Sequence, residues 1–118
     1  MEIKIFSNAE AFYEEAAPVL HKNEWENNLL IGLLMQSIKS GVKPLFMAIG
    51  YRWSSPFIVC LQTIPKQAVF SFAFFIDRLE AELFADVLSR KGTTQFLYTQ
   101  TYRIRLRIIS IKKLALNL

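Results

Sequence analysis

Glu24 and Glu26 flank Trp25, and Asn27 follows directly. Two carboxylates so placed can bind a cationic amine, although acids in the first turn of a helix also complement its dipole. His21 beside Lys22 has the chemistry of a general acid or base. At the end of a helix its simpler role is to favour the helix dipole, and that reading is preferred. Cys60 stands between Val59 and Leu61, where nothing adjacent would activate a thiolate, so it reads as a small buried hydrophobe. With one cysteine and one histidine in the chain, an internal disulfide framework and any two-histidine metal motif are excluded. That cysteine usage fits a reducing cytoplasm. Neither a Gly-x-x-x-x-Gly-Lys loop nor a Gly-x-Gly-x-x-Gly loop occurs, so the usual nucleotide cradles are missing. The remaining chemical candidate is Arg103, Arg105 and Arg107, a basic face that could hold an anionic partner.

The elements that must position these residues can be read from periodicity. Ile3-Lys4-Ile5 alternates like a short strand, and Ser7-Asn8 supplies a helix N-cap. Phe12, Ala16, Val19 and Leu20 fall at helical spacing, with Pro18 expected to end or kink that helix. A second helix is expected from about Asn23, with Leu30, Leu33, Leu34 and Ile38 on one stripe and a stop at Ser40-Gly41. Three apolar runs follow, at 45–49, 57–61 and 69–72, separated by 50–56, which reads as a turn, and by Thr63-Ile64-Pro65. Their short connections imply an antiparallel meander. Ile76, Leu79, Leu83, Phe84 and Val87 then predict a third helix, ended by Gly92, with Asp77, Glu80 and Glu82 on its other face. The cluster Phe70, Phe72, Phe74 and Phe75 reads as core. The elements thus read as a strand, two helices, an antiparallel meander and one later helix.

Charge is unevenly distributed. The 118 residues carry a net charge of +4, with 14 Lys+Arg against 10 Asp+Glu. Five of those bases lie in 101–118, which holds no acid, leaving nine bases against ten acids in residues 1–100. In the tail Tyr102, Ile104, Leu106 and Ile108 alternate with the three arginines, which predicts a strand. A basic tail without a recognisable nucleic-acid module is better read as a solvated strand face, so nucleic acid is not the expected partner. The longest stretch free of charged residues runs from Trp53 to Pro65 and contains two prolines. It is shorter than the roughly 18 residues a spanning helix needs, so no membrane partner is expected and the chain reads as cytoplasmic.

Two stretches go beyond general pattern. Asn23-Glu24-Trp25-Glu26-Asn27-Asn28-Leu29-Leu30-Ile31-Gly32-Leu33 resembles the E-N-N-L-L-L-G helix in the N-terminal half of a bacterial group of GNAT acetyltransferases. Leu61-Gln62-Thr63-Ile64-Pro65 followed by Ala68-Val69-Phe70-Ser71 is similar to the L-x-T-x-P … l-x-S strand pair of the same proteins. The resemblance covers residues 3–92, and it divides the chain into a GNAT-like N-terminal half, 1–92, and an unmatched strand-forming tail, 93–118. It implies an α+β fold, an antiparallel sheet with two N-terminal helices and one later helix, as a partial GNAT-like fold in which a strand, two helices and antiparallel strands build the acceptor side of a cleft. Trp25, Glu26, Asn27, Gln62 and Thr63 would line that side and receive an amine acceptor. The cofactor implied is acetyl-coenzyme A, held by a Gln/Arg-x-x-Gly-x-Gly/Ala loop at a helix N-terminus. Arg90-Lys91-Gly92-Thr93-Thr94 is the nearest segment to that loop, and it lacks the second glycine. The expectation is an acetyltransferase-related domain that binds no cofactor and is inactive alone. The alternative is a small binding or oligomerisation module using the basic strand. A homodimer is expected, because an apolar strand at the end of the chain would be covered by a second copy.

Overall fold

The computed structural model describes residues 1–73 and 76–90 with their side chains, and the backbone of 95–100 and 105–110. Among them the order is β1 (Glu2–Ile5), α1 (Ala9–Lys22), α2 (Asn28–Ser40), β2 (Phe46–Arg52), β3 (Ser55–Ile64), β4 (Gln67–Phe70), α3 (Arg78–Ser89), β5 (Gln95–Gln100) and β6 (Arg105–Ser110). The strands form one sheet in chain order, β1 to β6. The α+β class, the paired N-terminal helices and the later helix are as the sequence implied. β1 to β4 pair antiparallel, as their short connections require. β5 joins β4 in parallel, because the intervening chain, with α3 inside it, is long enough for a crossover. β6 returns antiparallel to β5 and overlaps the alternating tail. The boundary read between 92 and 93 lies outside the described residues, and α3 ends at Ser89, three residues before the stop expected at Gly92.

Helices cover both faces of the sheet. On one face Phe12, Ala16 and Leu20 of α1, at four-residue spacing, pack with Leu30 and Leu34 of α2 against Met47, Ile49, Val59 and Leu61. On the other, Phe84, Ala85 and Leu88 of α3 pack against Phe46, Ala48, Ile58, Cys60, Ala68 and Phe70. Successive residues of β2 and β3 thus enter opposite cores, which is why these strands read as continuous apolar runs. Each large aliphatic or aromatic side chain so buried contributes about 1.5–3 kcal/mol.

Helix ends follow local chemistry. The Asn8 side chain accepts from Ala11 N–H at 2.8 Å and opens α1. Pro18 lies inside α1 and does not end it. Its missing N–H would have bonded the Glu14 carbonyl, and both residues are exposed, so water can take that carbonyl. α2 begins at Asn28, five residues later than the sequence implied, after a run of turns over 23–27. It ends as expected at Gly41, whose φ of 75° is the left-handed conformation glycine adopts readily. α3 opens with a full capping box between Asp77 and Glu80.

α3 turns a different stripe inward from the one its leucines implied. Leu79 and Leu83 are exposed, whereas Glu80 is 8% exposed. The reason is an ion pair across the layers, in which Arg52 of β2 grips the Glu80 carboxylate with two nitrogens. The segment 50–56 is only partly a turn. Gly50 continues β2, where a Cβ would stand 2.7 Å from Cγ2 of Ile58. The reversal is a two-residue turn at Trp53 (φ 52°) and Ser54 (φ 63°).

Candidate functional site

The C-terminal end of α1, the β2–β3 hairpin and the chain just after β4 enclose a cleft of about 490 Å³. Pro18 and Val19 form one wall, Pro56 and Phe57 another, and Phe72 with Ala73 a third. Lys22 and Arg52 bring positive charge to its lining. The Arg52 guanidinium lies 3.9 Å from the centroid of the Phe57 ring, in a cation–π stack. It is also held by Glu80, and each partner favours the other's charged form. The Arg52 hydrogen bond draws the Glu80 carboxyl below its ordinary pKa, and the Glu80 hydrogen bond raises that of Arg52.

Of the residues expected to receive an amine, the structure brings together only those adjacent in sequence. Trp25 is 85% exposed, in the turns between α1 and α2. Glu26 beside it is half-buried. Asn27 is buried, and its side chain joins three parts of the fold. Its Nδ2 donates to the carbonyl oxygens of Leu20 at 3.3 Å and Val19 at 3.5 Å, and its Oδ1 accepts from Phe72 N–H at 2.6 Å. Asn27 is therefore a structural clamp, with both ends of its amide committed.

Gln62 and Thr63 lie elsewhere. Gln62 is buried, pairs in register with Phe46, and donates from Nε2 to the Ile64 carbonyl at 3.1 Å. Its neighbour Leu61 points into the α1/α2 core, so alternation turns Gln62 to the α3 face. Asn27 sits with the helices on the opposite face. Gln62 and Asn27 are thus separated by the thickness of the sheet, so the five residues do not form one lining. For Arg105 and Arg107 the backbone is described, with register partners Gln100 and Tyr98, and Arg103 lies outside the described residues.

His21 does more than complement the α1 dipole. Its Nδ1 lies 2.9 Å from Glu24 Oε1 and its Nε2 lies 2.7 Å from the Tyr13 hydroxyl. A carboxylate can only accept, so Nδ1 carries a proton, and in the neutral ring Nε2 accepts from Tyr13. The three groups form an exposed line along which a proton can pass. Sequence reasoning missed Tyr13; eight residues on one helix place it near the face of His21, a faint signal. Cys60 is fully buried, and burial alone pushes its thiol pKa up, so it is no nucleophile in the folded chain.

Among the described residues, the N-terminus of α3 does not fit the pyrophosphate of acetyl-coenzyme A. A pyrophosphate needs free N–H groups and positive potential at a helix N-terminus. At α3 the Asp77 carboxylate accepts from Glu80 N–H at 2.8 Å, and the Glu80 carboxylate accepts from Asp77 N–H at 3.1 Å. Two negative side chains thus occupy the place an anion would need. No glycine stands between Gly50 and Gly92, so a tight glycine-rich approach to that helix is absent from the sequence as well. Among the described residues no group of three or more His, Cys, Asp or Glu could hold a metal, and no helix is long and apolar enough to cross a membrane. In comparisons with known proteins, no family model, no curated protein and no solved structure matches the chain.

Proposed function

We propose that this chain is an acetyltransferase-related, GNAT-like domain that does not hold acetyl-coenzyme A and does not catalyse acetyl transfer by itself. Its element order supports this reading. A strand, two helices and three antiparallel strands precede a third helix, in the sequence the resemblance implies. The observation that carries the inactive part is the carboxylate closure of α3 by Asp77 and Glu80. An anion brought there would meet like charge where it needs donors. The Tyr13–His21–Glu24 line could move a proton, but its residues do not line the apolar cleft. A cytoplasmic location belongs to the same reading, since a buried free thiol at Cys60 suits a reducing compartment. Isothermal titration calorimetry of the full chain with acetyl-coenzyme A tests the proposal. No measurable heat of binding is expected, and a micromolar dissociation constant would overturn it.

A further inference from the structure

β1 is the first strand of the sheet and, among the described residues, pairs with β2 alone. Its register against β2 determines which backbone groups face outward. Phe6 N–H donates to the Met47 carbonyl at 2.8 Å, so the backbone of Phe6 turns toward β2. Antiparallel ladders alternate, and therefore Glu2 and Lys4 also turn inward. Ile3 and Ile5 then point their N–H and C=O groups to the open edge. Side chains alternate independently of this. Lys4 stands on the α1 face, where its Nζ lies 3.3 Å from Glu15, and Glu2 shares that face. Ile3 packs at the margin of the α3-side core, while Ile5 is 54% exposed.

We propose that this edge is a homodimer interface, in which two copies pair their β1 strands antiparallel about a two-fold axis through Ile3. That axis exchanges two backbone hydrogen bonds between Ile3 and the partner subunit's Ile3, using the groups left open by β2. It sets Glu2 opposite the partner subunit's Lys4 and Lys4 opposite the partner subunit's Glu2, two favourable cross-strand pairs on one face. On the other face Ile5 meets the partner subunit's Met1, which covers an exposed aliphatic side chain. A two-fold shifted by one residue would place Lys4 against the partner subunit's Lys4, and like charges directly opposite are unfavourable. The charges thus favour the Ile3 register over that one. A four-residue strand gives a small interface, so the dimer is reversible and depends on concentration. A lysine on a short edge strand ordinarily blocks such pairing. Here Glu2, two residues earlier, supplies its complement.

Sedimentation velocity on the full chain, at concentrations up to about 0.5 mM, reads the equilibrium. The native chain is expected to pass from monomer to dimer across that range. Glu2→Lys and Lys4→Glu should each weaken association about tenfold or more, because each sets like charges opposite one another twice. An equimolar mixture of the two variants should recover the dimer, since each then supplies the charge the other lacks. That recovery also shows that both variants are folded. A native chain that stays monomeric throughout overturns the proposal, as does a dimer unchanged by either charge reversal.

Discussion

Arg52 and Glu80 are 28 positions apart in sequence, yet their side chains form a two-point ion pair joining the end of β2 to the first turn of α3. Glu80 simultaneously closes the capping box with Asp77, so one carboxylate anchors the helix and starts it. The Glu80 side chain is 11% exposed and that of Arg52 32%. Removing Arg52 would therefore leave a poorly solvated carboxylate.

Glu80→Gln is expected to destabilise the fold by about 1.5–3 kcal/mol at neutral pH, the usual worth of hydrogen bonds made to a charged group. The pH dependence separates this pair from simple packing. The folded carboxyl has a lowered pKa, chiefly through its hydrogen bond to Arg52. Its contribution is thus present above the ordinary carboxylate pKa and is lost as pH falls through the lowered value. Urea melts taken from neutral to acid pH should show the difference between the native chain and Glu80→Gln shrinking over that acid interval. A difference independent of pH would assign the effect to packing.

Asn27 yields the second prediction. Its amide ties the α1 carbonyls of Val19 and Leu20 to the backbone of Phe72, beyond β4. Asn27→Ala should cost about 2–3 kcal/mol, because buried carbonyl and N–H groups lose their partners together. Asn27→Asp keeps the acceptor for Phe72 N–H but sets a carboxylate against two carbonyl oxygens, so it should not rescue the fold. Thermal denaturation of both variants checks this. If Asn27 instead acted as a ligand-binding side chain, Asn27→Ala would leave the melting temperature unchanged.

The elements themselves were legible because each carries its own periodicity. Phe12, Ala16 and Leu20 specify a helix face, and the three apolar runs specify buried strands. Asn8 and Gly41 announced their helix ends through capping chemistry. What escaped depends on contacts between elements. Gly50 looked like a turn residue, but its glycine requirement comes from Ile58 on the neighbouring strand. The actual turn, at Trp53-Ser54, has positive φ at both residues and lacks the Asn-Gly signature that would reveal it. The inward rotation of α3 follows from Arg52, which no local pattern couples to Glu80. The five residues grouped as an amine-binding lining were joined by resemblance alone. Strand alternation already separates Gln62 from Asn27, since Leu61 faces α1 and α2 and Gln62 must face the other way.

The last prediction concerns Tyr51, whose hydroxyl donates to Glu15 Oε2 at 2.7 Å. Burial and then this hydrogen bond to a carboxylate raise its pKa from 10.0 to about 12. Ionising Tyr51 would place a phenolate beside a carboxylate, which explains the direction. Because the folded value is the higher one, the stabilisation is complete below pH 10 and is lost as pH rises through about 12. Ultraviolet titration of the tyrosines should therefore show a late-ionising fraction that Tyr51→Phe removes. The same variant should flatten the alkaline fall in stability over that interval. Glu15→Gln keeps an acceptor for the hydroxyl but removes the negative charge, so it should move the late fraction toward lower pH without abolishing it. Lys4 also contacts Glu15, at 3.3 Å, but that pair is exposed and solvent screens it. Lys4→Gln should accordingly leave the late fraction nearly where it was, and a large shift would mean that Lys4, not burial, governs the Tyr51–Glu15 pair.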